Sequence, residues 1–246
     1  MNPLKQLTQI IYPPRCVICG DFLWQAPLDA GESPNPICRN CTLEFAPIEA
    51  PFCTICGMPF GSSHIENHPC EDCLRKKPFF NAAYAPYSYE GPILEAVLRF
   101  KYGQKTFMAD ALGPLLTEFV KARFTLREPY LIMPVPLHPK RLRERGFNQS
   151  LLLANRIALG LRGKVDFLSL VRTKHTIPQT TLSKKERRKN VQNAFFLKSP
   201  ESVREINILL VDDVTTTGNT LNECAKVLTQ AGAQAVFCVT LAKAVL

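Results

Sequence analysis

The chain has 246 residues and carries 30 Lys and Arg against 21 Asp and Glu, which gives a formal net charge of +9 at pH 7. This length can hold one compact domain and a small module, so we expect two domains. The basic excess indicates a polyanionic partner, but it does not distinguish nucleic acid from an acidic membrane or a phosphorylated substrate. No run of eighteen apolar residues occurs, which excludes a typical transmembrane helix. We therefore predict a soluble, cytoplasmic protein without membrane insertion.

The amino-terminal segment is predicted to form a short helix over residues 4–11, with Leu4, Leu7 and Ile11 at its apolar positions. Two prolines follow and end the helix. The apolar stretch is too short for a signal peptide, and no small-residue cleavage site follows it. This beginning agrees with the expected cytoplasmic location.

Cysteine spacing predicts a metal-binding module. Eight of the ten cysteines form four Cys-x-x-Cys pairs, all before residue 74. Gly20 and Gly57 directly follow two of these pairs, as in a zinc knuckle, where glycine permits a left-handed turn. Four thiolates are the ligand set of a structural Zn²⁺ site, so we predict two such sites in a reducing compartment. The eight ligands are Cys16, Cys19, Cys38, Cys41, Cys53, Cys56, Cys70 and Cys73.

The order in which the pairs share the two ions stays open at this point. The spacing between the pairs fits two zinc ribbons in sequence, in which the first and second pairs hold one ion and the third and fourth pairs hold the other. A cross-braced arrangement, with the first pair joined to the third and the second to the fourth, uses the same residues. A catalytic or redox role is the weaker alternative, because catalytic zinc keeps an open coordination position. His64 and His68 lie inside the second predicted ribbon, and we interpret both as loop residues.

The composition changes after the last cysteine pair. Residues 76–90 are aromatic and alternating, which predicts a crossing into a strand near residues 82–89. We place a domain boundary near Pro78. It divides the chain into a double zinc-ribbon domain of residues 1–77 and a second domain of residues 78–246.

Two helices are predicted after this strand. Gly91 and Pro92 begin the first helix, and the second covers residues 107–124. Arg99 and Lys101 lie near the carboxyl end of the first helix, where the helix dipole favours cations. Four residues form its predicted apolar face: Ile93, Leu94, Val97 and Leu98.

A basic segment follows the next predicted strand. Residues 130–136 predict a second buried strand, residues 138–148 a loop, and an amphipathic helix begins near Gln149. The loop carries one acid and four cations, namely Lys140, Arg141, Arg143 and Arg145. A solvated basic loop is one explanation. A binding role is favoured by residues 146–149, which combine a glycine for close backbone approach with polar donors at a helix start.

A second basic segment covers residues 172–195. It contains seven Lys or Arg and one Glu, and its apolar residues have no clear period. A long polar segment inside a compact domain is usually a functional lid or disorder. A solvated charged hairpin is the alternative.

The stretch from Ile208 to Thr220 carries the strongest functional signal. Four successive apolar residues predict a strand that is buried on both faces of a parallel sheet. Asp212 and Asp213 stand at the carboxyl end of that strand, where ligands bind in open α/β sheets. Adjacent acids are costly without a polyol or cation between them. The hydroxyl-rich loop that follows begins a helix and offers its N–H groups to a phosphate.

The last part of the chain is predicted to complete the same sheet. The helix ends at Gly232, and residues 234–242 form one more apolar strand. Cys224 and Cys238 fall within the helix and strand patterns. We interpret both as small core residues.

Residues 208–220 resemble the 5-phosphoribosyl-1-pyrophosphate (PRPP) signature of type I phosphoribosyltransferases, in which four apolar residues and two acids precede a Thr-Thr-Gly-x-Thr loop. The resemblance implies a type I phosphoribosyltransferase-like α/β fold with a mainly parallel sheet, and PRPP bound together with Mg²⁺. It assigns the ribose hydroxyls to Asp212 and Asp213. It assigns the 5-phosphate to the loop residues Thr215, Thr216, Thr217, Gly218 and Thr220.

The same resemblance gives roles to the two basic segments. Pyrophosphate would be gripped by the loop that holds Lys140, Arg141, Arg143 and Arg145. The mobile catalytic loop would supply Arg172, Lys174, Gln179, Arg187 and Arg188. Purine salvage enzymes often have an Asp three residues after the second ribose-binding acid, where this chain has Thr216. No general acid or base is therefore identified, and no catalytic residue is assigned.

Nearly the whole chain resembles the ComF family, a zinc-ribbon module followed by a phosphoribosyltransferase-like domain. The resemblance rests on Pro-x-x-Cys-x-x-Cys at 13–19, Arg-Gly-Phe-Asn-Gln at 145–149, Gln-x-x-Leu-Ser at 179–183 and Arg-x-x-Asn-Val at 187–191, together with the PRPP stretch. ComFC-type members act in natural transformation. This implies internalised single-stranded DNA as a partner, and a competence helicase or another DNA-processing protein beside it.

Three functions remain open from the sequence. The chain is a phosphoribosyl-transferring enzyme with an unidentified acceptor, a PRPP-responsive protein that binds nucleic acid, or a zinc-ribbon adaptor whose α/β domain is not catalytic. A fold does not decide among them. PRPP turnover, salt-dependent binding of single strands and failure to bind PRPP are the respective discriminating observations.

Overall fold

A computed structural model describes residues 12–23, 36–61, 66–103, 105–124, 130–175 and 190–245. The predicted helix over residues 4–11 lies outside these ranges, as do His64 and the lid candidates Gln179, Arg187 and Arg188. Within the described ranges, no helix has the length and apolar character needed to cross a membrane.

The described residues form eight strands, six of which build one parallel sheet. Its order is β1-β8-β7-β3-β4, with β2 also paired to β8, while β5 and β6 form a separate antiparallel pair. In chain order the strands are β1 Ala82–Tyr84, β2 Tyr87–Ser88, β3 Tyr130–Pro134, β4 Lys164–Val165, β5 Leu170–Arg172, β6 Phe195–Leu197, β7 Asn207–Thr215 and β8 Ala235–Lys243. This confirms the predicted mainly parallel α/β fold.

Seven helices within the described ranges surround the sheet or belong to the cysteine-rich segment. They are α1 Arg39–Leu43, α2 Glu71–Arg75, α3 Gly91–Tyr102, α4 Met108–Arg123, α5 Pro139–Arg145, α6 Gln149–Leu161 and α7 Asn219–Gln230. A single 3₁₀ turn in these ranges, Pro200–Val203, precedes β7. The helices predicted at Gly91, at residues 107–124 and after Thr220 are confirmed within one or two residues.

The central strand β7 is buried because both faces of the sheet are covered. Its odd and even residues enter different cores: Leu209 and Val211 pack on the side of α4 and α6, and Ile208 and Leu210 on the side of α7. All four side chains are at most 1% exposed. The apolar run therefore predicts the strand correctly, and Cys224 and Cys238 are core residues as expected.

Two details of the helices differ from the prediction. The buried face of α3 consists of Ile93, Ala96, Val97 and Phe100, whereas Leu98 is 36% exposed. Residues 139–145 form the short helix α5 instead of a loop. Pro139 fits its first turn, the His138 ring accepts a hydrogen bond from the Lys140 N–H, and Gly146 ends it at a φ of 83°.

The cysteine-rich segment is hydrogen-bonded to the edge of the sheet. Ala83 on β1 donates its N–H to the carbonyl of Ile55 at 2.7 Å, and the Tyr84 hydroxyl donates to the carbonyl of Thr54 at 2.6 Å. The ring of Phe45 packs 5.1 Å from that of Tyr87 on β2. These contacts cross the boundary that we place near Pro78.

Candidate functional site

Two clusters of four cysteines are present in the described part of the chain. One joins Cys16, Cys19, Cys38 and Cys41, and the other joins Cys53, Cys56, Cys70 and Cys73, with all Sγ atoms of a cluster within 4.8 Å of one another. Ligands at the usual Zn–S distance of about 2.3 Å on a tetrahedron lie about 3.8 Å apart. The Sγ–Sγ distances of 3.6 Å for Cys19 and Cys38 and 3.8 Å for Cys56 and Cys70 match this value. Both clusters thus fit Zn²⁺, and the pairs are shared in sequence rather than cross-braced.

Backbone N–H groups favour the thiolate form of one cysteine in each cluster. The N–H groups of Cys56 and Cys70 both donate to the Sγ of Cys53, at 3.4 Å and 3.2 Å. Burial alone would raise the pKa of Cys53, but these backbone hydrogen bonds outweigh it and lower the pKa to about 7. The same arrangement lowers the pKa of Cys16 to about 6, although burial acts to raise it. Such N–H donors are the usual outer partners of a zinc–thiolate site.

His68 is not part of the second cluster. Its ring stacks on Phe60 with centroids 4.3 Å apart, and its Nδ1 lies 3.0 Å from the Pro69 carbonyl. The prediction that it is a loop residue is confirmed, because four thiolates already complete the tetrahedral ligand set.

Asp212 and Asp213 lie at the carboxyl end of β7, where a parallel sheet places its ligand site. The Nζ of Lys101, at the end of α3, lies 3.0 Å from the Oδ1 of Asp213. The Ser150 hydroxyl, in the first turn of α6, donates to the Oδ1 of Asp212 at 2.8 Å. Three elements from distant parts of the sequence therefore meet at the two acids.

The two carboxylates differ in their electrostatic environment. Burial, and after it the charge of Asp213, raises the pKa of Asp212 to about 7, although the Ser150 hydrogen bond and the charge of Lys101 oppose this rise. Burial would lower the pKa of Lys101, but the carboxylate of Asp213 outweighs it and raises that pKa. Lys101 and Asp213 thus form a charged pair beside an Asp212 that titrates near neutral pH.

A cavity of about 230 Å³ opens at these acids and extends to the loop before α7. From the predicted phosphate loop, Thr215, Thr216, Gly218 and Thr220 line it together with Asp212 and Asp213. Gly218 has a φ of 71°, which permits the turn that begins α7. Thr217 does not line the cavity, and its Oγ1 is buried without a hydrogen-bond partner in the described ranges.

Only some of the predicted pyrophosphate-binding cations reach the cavity. Arg141, Arg145 and Arg172 line it. Lys140 and Arg143 lie on the same short helix without lining it, because successive residues of a helix point in different directions. Lys174 donates instead to the carbonyl of Gln192 at 3.1 Å.

Sequence reasoning missed several cavity residues. The position of Lys101 at a helix end predicts only an interaction with the helix dipole, and the predicted site does not include Ser150, Tyr89 or Tyr102. No local pattern reveals the contact of Lys101 with an acid more than a hundred residues later. Ser150 does have a sequence signal, because it follows the Gly-Phe-Asn-Gln stretch that begins a helix.

Family models match both parts of the chain. The double zinc ribbon domain matches residues 7–74, and the phosphoribosyl transferase domain matches residues 148–244. The chain is 36% identical over 203 residues to the DNA utilization protein YhgH of Escherichia coli (strain K12), which covers 81% of this chain and 87% of that protein. It is 33% identical over 236 residues to Competence protein F of Haemophilus influenzae, and the alignment covers 94% of this chain and 97% of that protein. The chain belongs to the ComF family.

This ComF-family chain also matches solved structures. One is the purine phosphoribosyltransferase of Pyrococcus horikoshii Ot3, with 16% identity and a TM-score of 0.34 over 58% of this chain and 74% of that chain. The two family models and the observed sheet together give a double zinc ribbon followed by a parallel phosphoribosyltransferase-like sheet.

Proposed function

We propose that this ComF-family protein binds PRPP with Mg²⁺ in the cavity at the end of β7, and that binding serves the handling of internalised single-stranded DNA in natural transformation. One observation carries the first half: paired acids, a hydroxyl-rich helix-start loop and three arginines line a single cavity. The names of two relatives, DNA utilization protein and Competence protein F, support the second half. The thiolate zinc sites favour a reducing compartment, the cytoplasm, as the place of action.

The chain's own groups suit the parts of PRPP. Thr216, Gly218 and Thr220 line the loop end of the cavity, where helix-start N–H groups and hydroxyls bind the 5-phosphate. Asp212 and Asp213 accept hydrogen bonds from the ribose hydroxyls. Mg²⁺ bound with PRPP would be held by the oxygen ligands of Asp212 and Asp213, and it would neutralise charge on the pyrophosphate.

The arginines complete the binding of the polyanion. Arg141, Arg145 and Arg172 line the same cavity and present forked donors that match phosphate oxygens. Burial lowers the pKa of Arg172 from its ordinary value, which makes an anionic partner more valuable at that position. Lys101 is paired with Asp213 at the same cavity, with 3.0 Å between its Nζ and the Oδ1 of that acid.

A transfer reaction onto a small acceptor is the alternative function. The phosphoribosyl transferase match over residues 148–244 favours it. Thr216 stands where nucleobase-using enzymes often have an acid, so the cavity offers no assigned general base for such an acceptor. For this reason the proposal is the binding of PRPP, and a chain that binds no PRPP would instead be a zinc-ribbon adaptor.

Calorimetric titration of PRPP with and without Mg²⁺ tests the proposal. We expect PRPP to bind in the presence of Mg²⁺, with ribose 5-phosphate and pyrophosphate each competing weakly, because each occupies one end of the cavity. Absence of heat with PRPP and Mg²⁺, confirmed by a thermal shift that does not change, would reject it. Release of pyrophosphate on adding an acceptor would identify the transfer function.

A further inference from the structure

The lining of the cavity includes an exposed aromatic ring. Tyr102, near the end of α3, lines the cavity and is nevertheless 72% exposed. Its neighbours behave differently: Phe100 is fully buried in the core and Lys101 is paired with Asp213. An exposed aromatic ring in the lining of a charged cavity is available to a ligand.

Arg145 lies beside this ring and is held in place. Its guanidinium is 5.5 Å from the Tyr102 ring centroid, and its NH1 group donates to the Oε1 of Gln149 at 2.7 Å. Gln149 is buried and donates in turn to the carbonyl of Phe100 at 3.3 Å. This chain of hydrogen bonds fixes the ends of α3 and α5 against the start of α6. The ring and the cation therefore form one prepared surface.

PRPP contains no aromatic group, so it cannot use the ring. A flat π-system with a guanidinium next to it suits a ligand that is itself flat and carries phosphate, because the base stacks and the phosphate pairs with the cation. Tyr89 lines the same cavity and adds a second ring near Lys101 and Asp213. The chemistry of this part of the lining matches a nucleobase rather than a second sugar phosphate.

We propose that Tyr102 and Arg145 form a base-binding subsite in the lining of the PRPP cavity, which stacks one nucleobase of a phosphate-bearing ligand. The role of this subsite rests on the proposed function. Its existence does not, because stacking of a base can be measured without PRPP. A mononucleotide and a single strand share this chemistry. The subsite places the base next to the ribose-binding acids.

The test compares two single-stranded oligodeoxynucleotides of equal length and charge, one with bases and one abasic. Their dissociation constants are measured at one salt concentration for the wild type, Tyr102→Phe and Tyr102→Leu. Base–aromatic stacking contributes about 1–3 kcal/mol for each base, so the preference for bases should fall about five- to a hundredfold in Tyr102→Leu. Tyr102→Phe keeps the ring and should keep most of the preference.

Phe196→Leu is the matched control, because Phe196 is a 57% exposed aromatic on β6 that does not line the cavity. An unchanged preference in Tyr102→Leu, or an equal loss in Phe196→Leu, overturns the subsite. Competition by AMP that depends on Tyr102 supports a mononucleotide ligand, and competition by the oligonucleotide alone supports a single strand. Wild-type protein that prefers bases through Tyr102 but binds no PRPP would reject the proposed function and leave this subsite standing.

Discussion

Asp212 and Asp213 are neighbours in sequence with opposite electrostatic situations. Asp213 has a cation within 3.0 Å, whereas Asp212 is bonded to a neutral hydroxyl and to the Asp213 N–H at 2.9 Å. Burial is the first cause that raises the pKa of Asp212. Ionisation of Asp212 therefore destabilises the folded state. Such a cost is typical of a functional site, here one for ribose hydroxyls and Mg²⁺.

This situation predicts a pH-dependent contribution to stability. The folded pKa of Asp212, about 7, lies above its ordinary value of 3.8, so the folded state holds this proton more tightly than the unfolded state. The contribution is complete below about pH 4 and is lost as the pH rises to about 7, with a total on the order of 4 kcal/mol. Asp212→Asn keeps an oxygen for the Ser150 hydroxyl and removes the titration.

Denaturant unfolding of the wild type and Asp212→Asn at pH 5 and pH 8 measures this contribution. We expect the difference in unfolding free energy to shift in favour of the variant by about 2–3 kcal/mol between the two pH values. The same difference at both pH values would contradict the pKa assignment. The variant should at the same time bind PRPP more weakly.

At the scale of elements, the second zinc ribbon is part of the sheet edge. The carbonyls of Thr54 and Ile55, between two ligands, accept hydrogen bonds from β1. Lys243 at the end of β8 is 4% exposed; burial lowers its pKa, and the thiols of the second cluster, when ionised, favour its charged form. Its backbone pairs with Thr215 of the phosphate loop and bonds to Tyr89 of the cavity wall. The second cluster and the cavity therefore share a strand.

Metal content tests the role of the ribbons. We predict two Zn²⁺ for each chain and one for Cys73→Ser, because removal of one of four thiolates opens a structural site. Loss of the second ion should also lower the melting temperature and weaken PRPP binding through β1 and β8. Cys224→Ser, a core cysteine outside both clusters, serves as the control and should keep two ions.

An outcome of one Zn²⁺ in the wild type would contradict the two-site assignment. Full PRPP affinity in a Cys73→Ser protein that has lost one ion would show that the second ribbon and the cavity are independent. In that case PRPP binding by the domain after Pro78 would not depend on the zinc-ribbon domain before it.

The sequence predicts elements wherever a local rule is strong. The run Ile208–Val211, the glycine-proline start of α3 and the eight paired cysteines each identify a structure by spacing alone. The sequence predicts a loop in place of the helix α5 because five of its seven residues are charged and none of the seven is buried. The contacts of Lys101 and Ser150 with the acids are tertiary, and no spacing in the chain encodes them. The cavity lining was therefore predictable at β7, at its loop and at three arginines, but not at Lys101, Ser150 and the two tyrosines.

At the scale of the whole molecule, the proposed role in DNA handling and the net charge of +9 together predict salt-dependent binding of single-stranded DNA. The basic residues around Arg141–Arg145 and Lys184–Lys189 are the proposed contacts, although the second group lies outside the described residues. Each phosphate contact should contribute about 0.7 to the slope of log K against log salt for a single strand. A flat response to salt would contradict this mode of binding.

The quadruple replacement of Lys184, Lys185, Arg187 and Arg188 by Glu separates two roles of these cations. If they contact DNA, the variant should lose single-strand affinity and up to about three units of slope, and transformation should fail. If they contact pyrophosphate alone, the variant should lose PRPP binding, and the wild type itself should bind no DNA. Transformation at the wild-type frequency would contradict the proposed role in DNA handling.

The PRPP dissociation constant of Asp212→Asn/Asp213→Asn, measured with saturating Mg²⁺ against the wild type, tests the central claim most directly. Each lost hydrogen bond to a charged group costs about 1.5–3 kcal/mol, so affinity should fall at least about tenfold. Glu118→Gln, which changes an exposed acid of α4 paired with Lys121, is the matched control and should bind PRPP like the wild type. Equal affinity of the double variant and the wild type would show that the acids at the end of β7 do not hold PRPP.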